Sequence, residues 1–373
     1  MILTILSAVA GLLWAALLLL PFRPWSTRER LDASIGSVKV DDDLSDMVAI
    51  VPARNEADRI AVTLAALHAQ GRDLRVVVVD DGSDDQTSAV VKSLGLKNVS
   101  VLRAGSLPPG WTGKVWAQSQ AEPLLQRPLV LLLDADIRLY PGLVAALKAK
   151  LRKENASLVS LMVELPMNYR WERLLMPAFV FFFKLLYPFG LVNAPRSSVA
   201  AAAGGCILMR TRALADIGGF AALKDALIDD CALARLVKRE GRAIWIGLTR
   251  SAVSTRRYPR LTDIWNMVAR TAYTQLGYRL PMLALCTLIM AVAFFIPLAG
   301  LFSHNPPSVS LSVLAMVFMA LSFIPTLGYY GLNPALGLTL PLSATLFLAM
   351  TWTSAFRYWA GERSVWHGRV YRA

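Results

Sequence analysis

"MVAIVPARNEADRIAVTLAALHAQGRDLRVVVVDDGSDD" (residues 47–85) decides the architecture. Two β-branched runs of strand length, MVAIVPA and LRVVVVD, flank EADRIAVTLAALHAQG, whose apolar residues recur at helical spacing and which stops on a glycine. The alternation continues downstream: TSAVVKSLG reads as a helix, VSVLRA and LVLLLD as strands, and GLVAALKAKLRKE as a helix. Strands and helices alternating through short loops predict an α/β domain with a mostly parallel sheet covered on both faces. Ligands of such sheets bind beyond the carboxyl ends of the strands. The acids of this chain gather at those ends.

Of 373 residues, 55% are hydrophobic and 17% charged, and the apolar excess lies at the two ends of the chain. The net charge is +13. A nucleic-acid binder would need a basic stripe interleaved with aromatics. Here Arg23, Arg28, Arg30, Arg250, Arg256, Arg257, Arg260, Arg270 and Arg279 flank apolar segments, a pattern suited to anionic headgroups on the cytoplasmic side. Cys206, Cys231 and Cys286 have no metal-ligand spacing and fit a reduced compartment.

Residues 1–22 are long and apolar enough for a transmembrane anchor. A cleaved signal peptide is the rival, disfavoured by the missing charged n-region and cleavage site. The expected organisation continues with a catalytic domain at 44–256, an amphipathic linker at 257–280, transmembrane helices at 281–356 with two or three crossings, and a basic tail at 357–373. Within the catalytic domain, 176–192 reads either as a core helix or as an interfacial helix, with Pro177 and Pro188 bounding a segment too short to cross. Arginines after the anchor place the catalytic domain in the cytoplasm at a multi-pass inner membrane. Three crossings would put the tail outside, yet its Arg357, Arg363, Arg369 and Arg372 favour inside.

PLVLLLDADIRLYPG (128–142) ends a greasy run with Asp134 and Asp136. On one strand these side chains would share a face and repel, unless a cation sat between them. Mn²⁺ or Mg²⁺ would answer that need and share its shell with substrate phosphates; a solvated turn is the plain alternative. Asp80 and Asp81 end another buried run and can accept from the imide and ribose hydroxyl of a nucleotide, while Asp84 and Asp85 suit helix capping. Pro52 stiffens the loop after the first strand, and Arg54, Asn55 and Glu56 offer charge and hydrogen bonds there. Lys114, beside Gly113, could meet a diphosphate as a point charge, or be surface charge. Asp229 and Asp230 open a helix, where acids favour the dipole; one could instead take a proton from an incoming hydroxyl.

Taken in order, VVVVDDGSDD, LLLDADI, GGC and LIDDCALA resemble the membrane-bound family-2 glycosyltransferases with the GT-A fold. LPPGWTGKVWAQ, LIDDCALA and the tail VWHGRVY look closest to the hopene-associated glycosyltransferases of hopanoid gene clusters, with carotenoid glycosyltransferases and ceramide glucosyltransferases more distant. The resemblance implies that Pro52, Arg54, Asn55 and Glu56 hold the nucleoside and that Asp80 and Asp81 bind uracil and ribose. It implies that Asp134 and Asp136 hold Mn²⁺ or Mg²⁺ on the diphosphate. Asp230 is then the general base, with Asp229 in place of the usual glutamate. Processive synthases carry Gln-x-x-Arg-Trp after the base; WNMVARTAYTQLGYR has Trp265, Arg270 and Gln275 but not that motif, which favours single-sugar transfer.

The expected function is inverting transfer of one sugar from a nucleotide sugar, UDP-linked, to a membrane lipid hydroxyl of the hopanoid or isoprenoid kind. The partners are the donor, the lipid acceptor and the bilayer, with no nucleic acid. The competing readings are transfer to a polyprenyl phosphate and, from another class, a membrane-tethered nucleotide-binding scaffold.

Overall fold

A computed structural model describes residues 1–33, 42–366 and 369–372. Eight strands form one sheet: β1 (Met47–Ala53), β2 (Arg75–Asp80), β3 (Val99–Arg103), β4 (Leu129–Leu133), β5 (Ile137–Leu139), β6 (Leu158–Glu164), β7 (Cys206–Arg210) and β8 (Ile244–Ser254). Their order is β3-β2-β1-β4-β7-β6-β8-β5. Six strands run parallel, while β7 is antiparallel to β4 and β6, and β5 to β8. All seven residues of β1 and all five of β4 are buried. That is why these runs are continuously apolar instead of alternating: helices cover both faces. One face packs Ile50, Val77, Val79 and Leu132 against Val115 and Leu233; the other packs Ala49, Val76, Val78 and Leu131 against Leu64 and Leu147.

Among the described residues, four helical segments are long and apolar enough to cross a membrane: Ile2–Leu19, Leu280–Leu301, Pro306–Tyr329 and Pro334–Trp359. The first and third run side by side in the same direction along a seam of small polar residues. Thr4 and Ser308 hydroxyls lie 2.7 Å apart, and Ser312 donates to Ser7 at 2.9 Å. Such residues let apolar helices approach closely without leaving polar atoms unsatisfied. The second segment runs antiparallel to them, with Trp14 donating to the Ala293 carbonyl at 2.9 Å and Gly300 against Ser312 and Ser7.

The fourth segment also touches this group, with Trp352 donating to Thr287 of the second at 3.1 Å and Gly337 lying against Ala320 of the third, but most of its hydrogen bonds go to other helices. Ser343 donates to the Leu174 carbonyl at 3.2 Å, Trp265 to Thr353 at 3.2 Å, the Tyr273 amide to Ser354 at 3.0 Å, and Arg357 to Asn266 at 2.8 Å. Its whole length is thus bonded to the helices Arg170–Leu186, Leu261–Ala269 and Ala272–Gln275, the last two occupying the expected 257–280 linker.

One sequence expectation changes: Pro177 lies inside the helix Arg170–Leu186 and does not begin it. Lys184 on this helix is 1% exposed, and its ammonium donates to the Ser26 carbonyl, packing of the kind the core alternative describes. Within the expected basic tail, β9 (Glu362–Trp366) and β10 (Arg369–Arg372) pair as an antiparallel hairpin.

Candidate active site

The sheet register brings the acids together. Ala53 of β1 stands opposite Asp80 of β2, so the loops after these strands meet. Arg54 donates to the carbonyls of Asp81 and, at 2.9 Å, Gly82. Asn55 adopts a left-handed φ of 54°, which asparagine tolerates better than most residues. From there its amide donates to Ser83 at 3.1 Å, and its side chain accepts from the Asp84 amide at 2.8 Å. The Glu56 amide donates to Thr87 at 2.9 Å. Arg54, Asn55 and Glu56 therefore brace the Asp80–Asp81 loop. Pro52 is buried within β1, opposite Val79.

Asp80 and Asp81 occupy different environments. Asp80 is buried, which would raise its carboxyl, but hydrogen bonds from the Ser83 amide (2.8 Å) and from the Ser88 hydroxyl hold it below the ordinary value. Asp81 is 2% exposed and its carboxyl is raised by burial, against the pull of Arg369 and Arg54. Asp85 precedes the N-cap Gln86 and accepts from the amides of Thr87 at 3.0 Å and Ala57 at 3.1 Å. Asp84 instead lies 3.6 Å from Arg54 at the surface.

The placement of Asp134 and Asp136 corrects the shared-face expectation. β4 ends at Leu133, and Asp134-Ala135-Asp136 form the turn into β5. Freed from strand geometry, each carboxylate meets a different cation. Lys114 lies 2.8 Å from Asp134. Arg256 donates Nε to Asp136 at 2.7 Å and also pairs with Glu56, which is 4% exposed. Arg256, expected among the headgroup-contacting residues, is thus drawn into the site. Arg250 is likewise diverted: it donates to the Tyr329 carbonyl and stacks on that ring, tying β8 to an apolar helix.

Lys114 is the hub. Besides Asp134 it lies 3.6 Å from Asp229. Burial alone would lower its ammonium, but these carboxylates outweigh burial and raise it, so it stays charged. Asp230 lies at the start of the helix Asp229–Arg239. Its two oxygens accept from the amides of Cys231 and Gly204, both at 2.7 Å. Gly204 reaches it because β7 pairs with β4, Cys206 opposite Leu133, and the Gly205 carbonyl accepts from the Asp134 amide at 3.2 Å. A Cβ on Gly204 would lie 3.1 Å from Asp230 Oδ2 and 3.2 Å from Lys114 Nζ, so this close approach needs glycine. Burial, and then the neighbouring Asp229, push the Asp230 carboxyl up to about 6, against Lys114 and the two amides. A carboxyl poised there can accept a proton near neutral pH.

The donor set fits a hard divalent cation. Asp134 and Asp136 each commit one oxygen to an ion pair, and the second has no hydrogen bond among the described residues. No group of three or more His, Cys, Asp or Glu side chains suited to a metal gathers among the described residues. Mg²⁺ and Mn²⁺ commonly take one or two carboxylates and complete their shell with water and substrate phosphates. Cys206 and Cys231 are buried beside these acids, and burial pushes the Cys206 thiol up to about 12, which makes it a poor nucleophile.

Several site residues escaped the sequence reading. Gly204 was visible only as part of a glycine pair. Arg256 was lost among flanking arginines. Arg369 and Tyr371 lie far along the chain, yet Arg369 donates to Asp81 at 2.7 Å and Tyr371 accepts from the Gly113 amide at 2.7 Å. Of the acceptor-helix candidates, Trp265 bonds Thr353 and Gln275 bonds Tyr187.

Residues 48–218 match the family model Glycosyl transferase family 2, a match that stops before Asp229, Asp230 and Arg256. The 4,4'-diaponeurosporenoate glycosyltransferase of Staphylococcus haemolyticus is 29% identical over 116 residues, 30% of each chain. Succinoglycan biosynthesis protein ExoU of Rhizobium meliloti is 33% identical over 100 residues, 26% of this chain and 28% of that one. The matched stretches span under a third of these relatives. A mannosyltransferase from Pyrobaculum calidifontis, solved with GDP-Man and Mn²⁺, superposes with a TM-score of 0.57 at 18% identity, covering 95% of this chain and 98% of that one. Residues 48–218 are therefore similar to a Glycosyl transferase family 2 domain, and the chain has a GT-A-like α/β fold joined, among the described residues, to four apolar helical segments of membrane-spanning length.

Proposed function

We propose that the protein is an inverting glycosyltransferase that moves one sugar from a nucleotide sugar, with a UDP-sugar as the expected donor, to the hydroxyl of a membrane lipid. The observation that supports this most is Asp230: half-buried, raised in pKa, and set beside the one lysine that joins Asp134 to Asp229. Asp80 and Asp81 would accept hydrogen bonds from the nucleoside. Asp134 and Asp136 would hold Mn²⁺ or Mg²⁺, which when bound supplies charge stabilisation to the diphosphate. Lys114 adds a fixed positive charge where the diphosphate departs. Each Asp230 oxygen keeps a second lone pair beyond its amide hydrogen bond. As the acceptor oxygen bonds to the anomeric carbon and the bond to the diphosphate breaks, the hydroxyl proton passes to Asp230. An acceptor of the hopanoid or isoprenoid kind is supported by the family resemblance, and by a curated relative named for 4,4'-diaponeurosporenoate.

We also read three of the four apolar segments as crossings. Tyr329, which ends the third, accepts from Arg250 of the catalytic sheet, and the hairpin that follows the fourth bonds Asp81 and Gly113. Both ends of Pro334–Trp359 thus face the catalytic domain, and an odd crossing between them would separate those contacts. The segment then lies flat, with Leu342 and Phe356 exposed toward lipid, and the tail stays on the catalytic side. Its hydrogen-bonded partners Arg170–Leu186 and Leu261–Ala269 make that surface a seat for the acceptor's apolar part.

Membranes containing the protein, incubated with radiolabelled UDP- and GDP-sugars and then extracted for lipid, should yield a labelled lipid from one donor. No label in lipid from any donor would defeat the reading. A C-terminal epitope tag should be reached by protease from the same side as the catalytic domain.

A further inference from the structure

The hairpin β9–β10 follows the last apolar helix, yet its described side chains reach three loops around the cleft. Arg369 bonds the Asp81 carboxylate at the nucleoside end, 288 residues away. Tyr371 bonds the Gly113 amide, the residue before Lys114, at the diphosphate end. Arg363 donates to the Asp225 carbonyl at 3.1 Å, in the loop that leads to Asp229. Arg369 and Tyr371 are two apart on one strand and so face the same way. Arg369 also lies against the Tyr371 hydroxyl, which places its guanidinium between Asp81 and the Lys114 helix.

That is the path a nucleoside diphosphate must follow if its base and ribose sit at Asp81 and its phosphates at Asp134. Three other cations beside this path are engaged: Lys114 with Asp134 and Asp229, Arg256 with Asp136 and Glu56, Arg54 with the loop carbonyls. Arg369 has the fork geometry that suits a phosphate.

We propose that Arg369 is a donor-binding residue: it pairs with Asp81 in the empty cleft and contacts the diphosphate of a bound nucleotide sugar, with Tyr371 fixing β10 against Gly113. This rests on the nucleotide-sugar reading above. On donor entry, Asp81 exchanges the guanidinium for the nucleoside's neutral donors, and the guanidinium moves onto the phosphates. No covalent step is involved.

The test compares UDP with uridine, which has no phosphate, by calorimetry on the full-length protein in detergent with Mn²⁺. Arg369→Ala should weaken UDP binding about tenfold or more, the loss expected for a hydrogen bond to a charged group, while uridine binds as well as before or better. Arg369→Lys, which keeps the charge but not the fork, should fall between, with an unchanged melting temperature. Equal loss of UDP and uridine, or loss of neither, would make Arg369 a structural counter-ion of Asp81 and overturn the proposal. If Arg369→Ala unfolds, Arg369→Lys decides alone: UDP binding equal to wild type overturns it. Failure of the wild-type protein to bind UDP or GDP would remove the nucleotide-sugar reading itself, and this inference with it.

Discussion

Two acid pairs meet at Lys114 through one or both members, and they are handled in opposite ways. In the turn after β4, Asp134 and Asp136 are drawn apart, one to Lys114 and the other to Arg256, and each keeps an oxygen open. At the helix start, Asp229 and Asp230 are adjacent and share one lysine; Asp230 has no cation of its own. The first arrangement gives each carboxylate its own cation. In the second, burial and then the neighbouring Asp229 lift Asp230 toward neutral pH, against Lys114 and two amides. On the proposed reading, the same residue type serves for holding in one place and for proton acceptance in the other through burial and the cations the fold supplies.

The largest break in this contrast comes from Asp230→Asn. It preserves shape and both amide contacts as far as an amide allows, but removes the basic oxygen. Transfer should fall by about 10²–10⁴, the usual worth of a general base, while UDP binding changes little. Equal loss of binding would end the base assignment, and retention of most activity would point to an acceptor that is already an anion. In the wild-type protein the base must be unprotonated. Because its carboxyl is raised to about 6, transfer should rise as pH climbs through that value and level off above it. A group with an ordinary aspartate value would give a rate already flat there.

Lys114→Met tests the shared hub. Lys114 lowers the Asp230 carboxyl, so its loss raises it further, and the acid limb of the rate profile should move to higher pH. The saturated rate should drop by roughly 10–100-fold, as expected for removing one charge that stabilises the leaving group. A drop in rate with an unmoved acid limb would separate Lys114 from the base.

The contrast was only half legible in sequence. Period and β-branched runs gave the parallel sheet, because burial on both faces leaves a local signature in β1, β2 and β4. The acids announced themselves by lying at strand ends. What binds each acid did not, because Lys114, Gly204, Arg256 and Arg369 reach the cleft through register and chain reversal, which no local pattern encodes. Asp134 and Asp136 were assigned one face by strand periodicity, and the turn at Asp134 cancelled that rule. Hydropathy found four apolar segments equally well. Only their contacts set Pro334–Trp359 apart: besides Thr287 of the second segment, it bonds Arg170–Leu186 of the catalytic domain and Leu261–Ala269 of the linker.

Arg256→Lys should give the smallest effect and sharpen the comparison most. Arg256 joins Asp136 to buried Glu56 with two arms of one planar group; a lysine is a point charge and serves one of them. If the turn acids only hold the donor, the donor KM in Mn²⁺ should rise several-fold, on the scale of one weakened charge-assisted hydrogen bond, with kcat nearly kept. Glu56 retains Arg59 at 3.4 Å as a partner, which limits the loss of stability. The acid limb of the pH profile should stay in place, since Arg256 is not among the groups that set Asp230. A kcat loss as deep as that of Asp230→Asn would mean that the turn pair acts in the transition state, and the division between holding and proton acceptance would fail.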